Sequence, residues 1–334
     1  MATFTAPVTV VGATTWGTTL AIIMARRGIS VRLLARTPDE ARELAAAREH
    51  TRRLPGQPFP DSLVVTAAPD DALAGAAAVF VAVPSPTMRE NAKRLVGTLA
   101  DGTALISASK GLEPGTLNRM SAVLAEELPA ARIGALSGPN LAREIVRDLP
   151  APTVVASEDG EVCALVQRAL SSPSLRVYTN EDLVGTEFGG ALKNVIALGA
   201  GIVDGMGLGD NAKAGFVNRG LAEITRLGLA AGAQPATFAG LAGMGDLVAT
   251  CYSALSRNHR VGVELARGGL LADVIVRLGG EVAEGVNTTP AALALAGTLG
   301  VEMPITELTN RVLFEGLSPR DAASLLMERT PKPE

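Results

Sequence analysis

Two lysines stand out in this sequence because lysine is rare in it. Only five of the 30 basic residues are lysines, and arginine supplies the ordinary positive charge. Lys110 stands before a glycine, and Lys193 lies in a segment, residues 189–202, whose only other polar side chain is Asn194. A guanidinium holds its proton too tightly for acid–base chemistry, whereas a desolvated ammonium can release it. These positions indicate proton transfer, with a solvated surface lysine as the alternative.

A second polar group stands at the predicted start of a helix. It consists of Ser256, Arg257 and Asn258, and Asp246 precedes it by ten residues. A hydroxyl, a guanidinium fork and an amide at a helix N-terminus suit an anion such as a phosphate. The alternative is a capping serine followed by a surface arginine. We expect the neighbouring His259 to be structural or solvated.

A glycine-rich turn, residues 12–17 (GATTWG), follows the first predicted strand and opens the first predicted helix. Gly12 and Gly17 occupy the first and third glycine positions of a dinucleotide-binding loop, whose helix N-terminus faces the phosphates. Thr14 replaces the middle glycine, which leaves an ordinary turn as the alternative. Its branched Cβ disfavours positive φ, so we expect weaker cofactor binding. The opposite outcome is a Thr14 hydroxyl that donates to a phosphate.

The end of the second predicted strand carries Arg36. An acidic residue there selects the ribose 2′-hydroxyl of NADH, whereas an arginine accommodates the 2′-phosphate of NADPH. The nearest acids, Asp39 and Glu40, follow Pro38 and belong to the next predicted helix. The sequence therefore favours NADPH over NADH, with a solvated arginine as the alternative.

Composition excludes several classes of protein. Hydrophobic residues make up 47% and charged residues 19% of 334, which is typical of a globular chain of about two domains. Aromatic residues are 3% and the net charge is −4, so we expect no nucleic-acid partner. Two cysteines and two histidines are too few for a metal site or a disulfide framework. We see neither a signal peptide nor a membrane span, and expect a cytoplasmic protein.

The elements that must position these residues alternate through the first half of the chain. The pattern predicts a Rossmann-type doubly wound α/β sheet followed by an all-helical C-terminal domain. We place the dinucleotide-binding domain at residues 1–185 and the helical substrate-binding domain at residues 186–334. The predicted strands lie at 7–12, 30–36, 62–66, 77–83, 103–107, 132–137, 153–157 and 174–178, with helices between most of them.

Taken together, these segments resemble the bacterial NAD(P)-dependent glycerol-3-phosphate dehydrogenases. The matching stretches include VAVPS at 81–85, SKGLEPG at 109–115 and SGPN at 137–140. The most specific is GGALKNVIALGAGIVDGMGLGDNAKA at 189–214. The resemblance covers nearly the whole chain. It implies a Rossmann domain, a helical substrate domain and interconversion of dihydroxyacetone phosphate and sn-glycerol 3-phosphate, which feeds glycerophospholipid synthesis.

The resemblance also implies roles for individual residues, with Lys193 as the catalytic acid and base. The implied substrate contacts are Lys110, Gly138, Asn140, Lys193, Asp246, Ser256, Arg257 and Asn258. The implied cofactor contacts are Gly12, Thr15, Trp16, Gly17, Arg36, Lys110, Ala142, Arg257, Val282 and Glu284. Asn140 stands where bacterial members usually carry serine or threonine, which puts the seating of the substrate in doubt.

Two other functions stay open at this point. The chain could be a related dehydrogenase for another phosphorylated hydroxy compound, or a dinucleotide-binding homologue without turnover, as Thr14 suggests. Retention of Lys110, Lys193, Asp246 and Arg257 argues against the second, because a sensor needs no proton donor. We expect a small phosphorylated substrate and consider a homodimer, although the sequence does not determine the oligomeric state.

Overall fold

The computed structural model describes residues 6–279 and 283–330. Its N-terminal half contains one eight-stranded sheet with the spatial order β3-β2-β1-β4-β5-β6-β7-β8. All neighbouring strands are parallel except β6 and β7. The strands are β1 (Val8–Val11), β2 (Val31–Leu34), β3 (Leu63–Thr66), β4 (Ala78–Val81), β5 (Ala104–Ser107), β6 (Arg132–Ser137), β7 (Ala151–Ala156) and β8 (Leu175–Asn180).

Helices cover both faces of this sheet, which confirms the predicted doubly wound class. Neighbouring residues of a strand point to opposite faces of the sheet. On β4, Phe80 accordingly belongs to the same apolar cluster as Leu20, whereas Val79 belongs to a second cluster with Leu124. The helices of this half are α1 (Thr15–Arg26), α2 (Pro38–Ala47), α3 (Pro69–Leu73), α4 (Met88–Lys93), α5 (Met120–Glu127), α6 (Ala142–Ile145) and α7 (Gly160–Leu170), and a 3₁₀ turn (Ser85–Thr87) precedes α4.

The antiparallel pair β6–β7 is a departure from the simple alternation that the sequence suggested. The connection between these strands, residues 138–150, contains only the four-residue helix α6. A parallel crossover needs a dozen or more residues, usually with a full helix that lies across the sheet. These residues are numerous enough for a crossover, but they contain no helix long enough to lie across the sheet, and the chain turns back beside β6.

The remainder of the described chain is helical, as predicted. A 23-residue helix, α8, lies at its centre, and 18 of its residues are buried. The helices are α8 (Leu183–Gly205), α9 (Asp210–Ala230), α10 (Pro235–Ala239), α11 (Asp246–Tyr252), α12 (Arg257–Ala266), α13 (Leu271–Arg277), α14 (Glu284–Leu299), α15 (Pro304–Phe314) and α16 (Pro319–Met327). A domain boundary near residue 185 remains our proposal, since α8 begins directly after β8.

One turn of π-helix (Leu241–Gly245) stands immediately before α11. Such turns are rare, and those that occur are frequently found at functional sites.

Within the described part of the chain, no helix is both long enough and apolar enough to cross a membrane. Nor does any group of three metal-ligating side chains come together there.

The start of α8 depends on the buried carboxylate of Asp182. Its Oδ1 accepts from the Gly185 amide at 2.7 Å, and its Oδ2 accepts from the Gln234 amide and the Thr237 hydroxyl at 2.8 and 2.7 Å. Asp182 therefore caps the helix and joins it to α10. The capping residue of α2, Thr37, makes a comparable bond to the Glu40 amide but is exposed.

We predict that Asp182→Ala lowers the free energy of unfolding by about 3 kcal/mol, because a helix cap is lost and buried donors lose their acceptor. Thr37→Ala is the control and should cost about 1 kcal/mol or less, since water can replace its single bond. Urea denaturation followed by circular dichroism measures both. Equal losses in the two variants would contradict this account of Asp182.

Candidate active site

The glycine-rich turn has the backbone that the sequence predicted for it. Gly12 has φ of +104°, and a Cβ there would lie 2.7 Å from the Ala82 carbonyl oxygen. A Cβ on Gly17 would overlap the Gly12 carbonyl oxygen. The two glycines therefore allow β1 to turn sharply into α1 and to lie against the end of β4. The N-terminus of α1 opens at this edge of the sheet, where dinucleotide phosphates are bound in such folds.

The expectation of backbone strain at Thr14 is wrong. Thr14 has φ of −74° and ψ of 169°, an extended conformation that any residue adopts. It is the N-cap of α1, and its Oγ1 accepts from the Gly17 amide at 3.0 Å. The same hydroxyl donates to the Ala82 carbonyl at 2.8 Å. The proton is thus already used within the protein, and Thr14 stabilises the turn through its side chain.

Arg36 is exposed just beyond β2, close to the same edge of the sheet. Its amide donates to the Glu40 carboxylate at 2.9 Å, and Asp39 pairs with Arg42. Both nearby acids are therefore engaged locally. This geometry fits the prediction that the position after β2 accepts a phosphate rather than a ribose hydroxyl.

A segment that the sequence reasoning missed packs against the glycine-rich turn. The buried ring of His50 places Nε2 3.1 Å from the Ala13 carbonyl oxygen. Burial lowers the pKa of His50, and the nearby guanidinium of Arg53 lowers it further. A neutral His50 donates this bond. The basic pair Arg52–Arg53, which follows α2 by a few residues, could have drawn attention to this segment, although it does not predict the contact between His50 and Ala13.

Arg53 belongs to a cluster of guanidiniums around the cofactor edge. Its pKa is lowered first by burial and then by the positive charges of Arg52 and Arg257, with a smaller effect from Arg36. Three arginines, from the segments after β2 and α2 and from α12, thus lie close enough to Arg53 to lower its pKa. Such a concentration of positive charge favours a ligand with several phosphates.

The two lysines that the sequence singled out meet at one carboxylate. Asp246, 1% exposed, places Oδ2 2.5 Å from Lys110 Nζ and Oδ1 2.6 Å from Lys193 Nζ. Lys110 also donates to the Gly138 carbonyl at 2.8 Å, and Lys193 donates to the Thr250 hydroxyl at 2.6 Å. The segment after β5 supplies Lys110, and the helical part supplies the other two charged residues. The predicted proton-transfer group is thus brought together in space.

Burial is the main cause of an altered proton affinity in this group. It lowers the pKa of Lys110 to about 8, although the charge of Asp246 opposes the change. The positive charge of Lys193 acts in the same direction as burial. An ammonium with this pKa is poised to exchange its proton near neutral pH.

Close backbone contacts explain how these side chains reach one another. A Cβ on Gly189 would lie 2.5 Å from the Ala242 carbonyl oxygen of the π-helical turn, and one on Gly190 would overlap Ser137 Oγ. The turn of α8 before Lys193 is thus pressed against both the end of β6 and the π-helical turn. This proximity brings Lys193 within reach of Asp246, the first residue of α11.

Several buried polar atoms near this group have no hydrogen-bond partner among the described residues. They are Ser137 Oγ and both amide atoms of Asn140. Each such atom costs about 1–3 kcal/mol when it is left without a partner, so a polar ligand would be favoured here. Asn140 was a predicted substrate contact, whereas Ser137 belonged to the matching SGPN stretch but was given no role of its own.

Two of the three side chains at the start of α12 that were predicted to bind an anion form hydrogen bonds within the protein. Ser256 is the N-cap, and its Oγ accepts from the His259 amide at 3.3 Å. The buried amide of Asn258 donates to Asn194 Oδ1 and accepts from the Gly285 amide, both at 2.9 Å. Arg257 is exposed in the first turn. Arg257, in the first turn, and the first backbone amides of this helix have the chemistry that suits a phosphate.

The remaining predicted cofactor residues are dispersed over several elements. Thr15 begins α1, and Trp16 packs half-buried on the core. Ala142 begins α6, and its carbonyl oxygen is 3.4 Å from Thr19 Oγ1. Glu284 begins α14 and accepts from the Ser85 amide at 3.2 Å and from the Ser85 hydroxyl at 2.5 Å. Val282 lies outside the described residues.

The fold and the site together define a dinucleotide-binding protein of the dehydrogenase class. The N-terminal model of NAD-dependent glycerol-3-phosphate dehydrogenase matches residues 7–163, and its C-terminal model matches residues 182–324. The chain belongs to this family, which confirms the resemblance seen in the sequence.

Individual relatives agree with the family match. A glycerol-3-phosphate dehydrogenase (NAD(P)+) of Dehalococcoides mccartyi is 47% identical over 325 residues, which cover 96% of this chain and 90% of the relative. A glycerol-3-phosphate dehydrogenase (NAD(P)+) of Geobacter metallireducens is 48% identical over 328 residues, which cover 97% of this chain and 98% of the relative. The crystal structure of glycerol-3-phosphate dehydrogenase from Coxiella burnetii superposes with a TM-score of 0.94 at 36% identity. The superposition covers 98% of this chain and 100% of the Coxiella chain.

The Thr14 geometry leads to a prediction opposite to the one that the sequence suggested. Thr14→Ala should lower the free energy of unfolding by about 1 kcal/mol through loss of the cap, and it should not tighten NADPH. Thr14→Ser keeps the hydroxyl and should behave like the wild type. Titration calorimetry and urea denaturation provide the two measurements. Tighter NADPH binding by Thr14→Ala would show that the side chain obstructs the cofactor.

Proposed function

We propose that this protein interconverts dihydroxyacetone phosphate and sn-glycerol 3-phosphate with NADPH or NADH. The observation that carries the proposal is the buried Lys110–Asp246–Lys193 group beside polar atoms that lack partners among the described residues. The printed names of the relatives, glycerol-3-phosphate dehydrogenase (NAD(P)+), support the same reaction. The product would feed glycerophospholipid synthesis.

The residues at the carboxyl edge of the sheet fit a dinucleotide. Gly12 and Gly17 leave room for the pyrophosphate at the N-terminus of α1, and Arg36 with Arg53 supplies positive charge for a 2′-phosphate. This arrangement supports NADPH as the preferred cofactor. Bound NADPH or NADH supplies the hydride that reduces the ketone carbon.

Lys193 is the proposed acid. In the reducing direction its ammonium donates a proton to the carbonyl oxygen of the ketone, and in the oxidising direction the neutral amine accepts that proton from the alcohol. Asp246 and Thr250 hold the nitrogen through bonds of 2.6 Å, which fixes the direction of the transfer.

Lys110 stabilises the same oxygen while negative charge develops on it. Its ammonium is held between Asp246 and the Gly138 carbonyl, so its position is fixed before the substrate arrives. A preorganised charge in a site with little water stabilises a transition state more strongly than a mobile one. Lys110 follows β5 of the sheet that also carries the glycine-rich turn, so it can contact both the cofactor and the substrate.

The first turn of α12 would hold the phosphate of the substrate. Arg257 supplies a guanidinium, and the turn presents backbone amides behind the Ser256 cap. Ser137 and Asn140 are the proposed partners of the substrate hydroxyl and carbonyl groups, since their polar atoms are buried and unpaired among the described residues. Binding energy from the phosphate, remote from the reacting carbon, would then orient the ketone.

The location, the oligomeric state, the partners and the exact substrate of the protein are proposals as well. A cytoplasmic location, a homodimer and the absence of a nucleic-acid partner are expected, and gel filtration tests the oligomeric state. A related enzyme for another phosphorylated hydroxy compound would have the same lysine pair, so a panel of phosphorylated ketones distinguishes it. A homologue without turnover would bind NADPH and reduce none of them.

We predict that the purified protein oxidises NADPH in the presence of dihydroxyacetone phosphate, and that Lys193→Arg loses more than about tenfold of this turnover, or ~1.4 kcal/mol of barrier. A guanidinium keeps the charge but is a poor proton donor. Lys93→Arg on the exposed surface is the matched control and should be active. Turnover within tenfold of wild type in Lys193→Arg would remove Lys193 as the acid.

The pKa of Lys110 predicts a pH dependence. Because this pKa is about 8, Lys110 loses its charge as the pH rises through that value, and kcat/KM for ketone reduction should fall above it. The guanidinium in Lys110→Arg stays charged over this pH range, so the fall in kcat/KM should move to higher pH even if the variant is slower than the wild type. Initial rates at saturating NADPH between about pH 6 and pH 10 measure the profile. A fall at unchanged pH in Lys110→Arg would assign it to another group.

A further inference from the structure

A second charged cluster lies on α8, at the end away from Lys193. Asp204 Oδ2 accepts from Lys213 Nζ of α9 and from His259 Nε2 of α12, both at 2.6 Å. The lysine and histidine side chains are largely buried, at 8% and 12% exposure, whereas Asp204 is 33% exposed. Burial raises the pKa of Asp204, but the bonds from its two donors outweigh burial and lower this pKa below its usual value. Asp204 is therefore ionised.

An ionised Asp204 can only accept, so His259 donates through its Nε2–H. His259 stands two residues after Arg257 and one after Asn258, in the first turn of α12. The bond to Asp204 therefore attaches the proposed phosphate-binding turn to the helix that carries Lys193. Asn258 makes a separate attachment to Asn194 of α8.

Helices α8 and α12 also touch through their backbones. A Cβ on Gly201 would overlap the His259 carbonyl oxygen, and one on Gly262 would overlap the Leu198 carbonyl oxygen. This contact fixes the separation of the two helix axes. The orientation of the residues that precede His259 in this turn depends also on side-chain bonds, because the first amides of a helix have no partners within the helix.

We propose that His259, held by Asp204, is a positioning residue that orients the first turn of α12, and with it Arg257, toward the phosphate of the substrate. The inference rests on the proposed function. The bond to Asp204 holds the turn at His259, and the bonds of Asn258 to Asn194 and to the Gly285 amide hold it one residue earlier. Loss of the bond to Asp204 lets the turn rotate, which weakens phosphate binding and leaves the lysine pair intact.

The test compares His259→Phe, which removes the donor, with His259→Gln, which keeps an N–H donor. His259→Phe should raise KM for dihydroxyacetone phosphate about tenfold, the effect of one hydrogen bond to a charged group, with kcat nearly unchanged. KM for unphosphorylated dihydroxyacetone should not change. His259→Gln should restore most of the affinity. Lys213→Met is the matched control, because it removes the other donor to Asp204 and leaves the His259 bond.

Binding is measured separately by titration calorimetry with sn-glycerol 3-phosphate, which needs no turnover. Weaker binding by His259→Phe, with binding by Lys213→Met close to wild type, supports the proposal. Equal effects on phosphorylated and unphosphorylated substrates, or no effect of His259→Phe, would overturn it. A wild-type protein that binds sn-glycerol 3-phosphate but does not reduce dihydroxyacetone phosphate would instead contradict the proposed function.

Discussion

One buried carboxylate organises this molecule. Asp246 accepts from Lys110, which the sheet supplies, and from Lys193, which lies on the central helix α8. Removal of one partner from a buried ionic group leaves a charge uncompensated, which costs about 3–5 kcal/mol. The sheet and the helices are therefore held in the one arrangement in which both ammoniums reach the same carboxylate.

The same interaction sets the proton affinity of Lys110. Burial disfavours the charged form of Lys110, while Asp246 favours it, and the balance leaves the pKa of Lys110 at about 8. A more exposed Lys110 would hold its proton more firmly at neutral pH, and a Lys110 without the carboxylate would lose it more readily. Asp246 stands directly after a π-helical turn, an irregularity that occurs frequently at functional sites.

Much of the fold could be predicted because its signals are local. The strand before Gly12 and the helix after it predicted the cofactor edge from neighbouring residues, and the scarcity of lysine drew attention to Lys193 as a candidate. The conformation of Thr14 could not be predicted, since its side chain bonds to Ala82, 68 residues away. Contacts across the fold also explain why His50 was missed, because nothing near it in the sequence indicates that its ring meets Ala13.

The paired glycines Gly189 and Gly190 have a consequence for how such a site can change. Successive residues of a helix point about 100° apart, so the pair lets α8 touch the π-helical turn on one side and Ser137 on the other. The first contact is with the backbone carbonyl of Ala242 and cannot be shortened by exchanging a side chain, whereas the second is with the Ser137 side chain. The distance from α8 to the π-helical turn is thus a rigid dimension of the scaffold. Adaptation to a different substrate would have to arise in the surrounding loops, where the backbone is free to take another course.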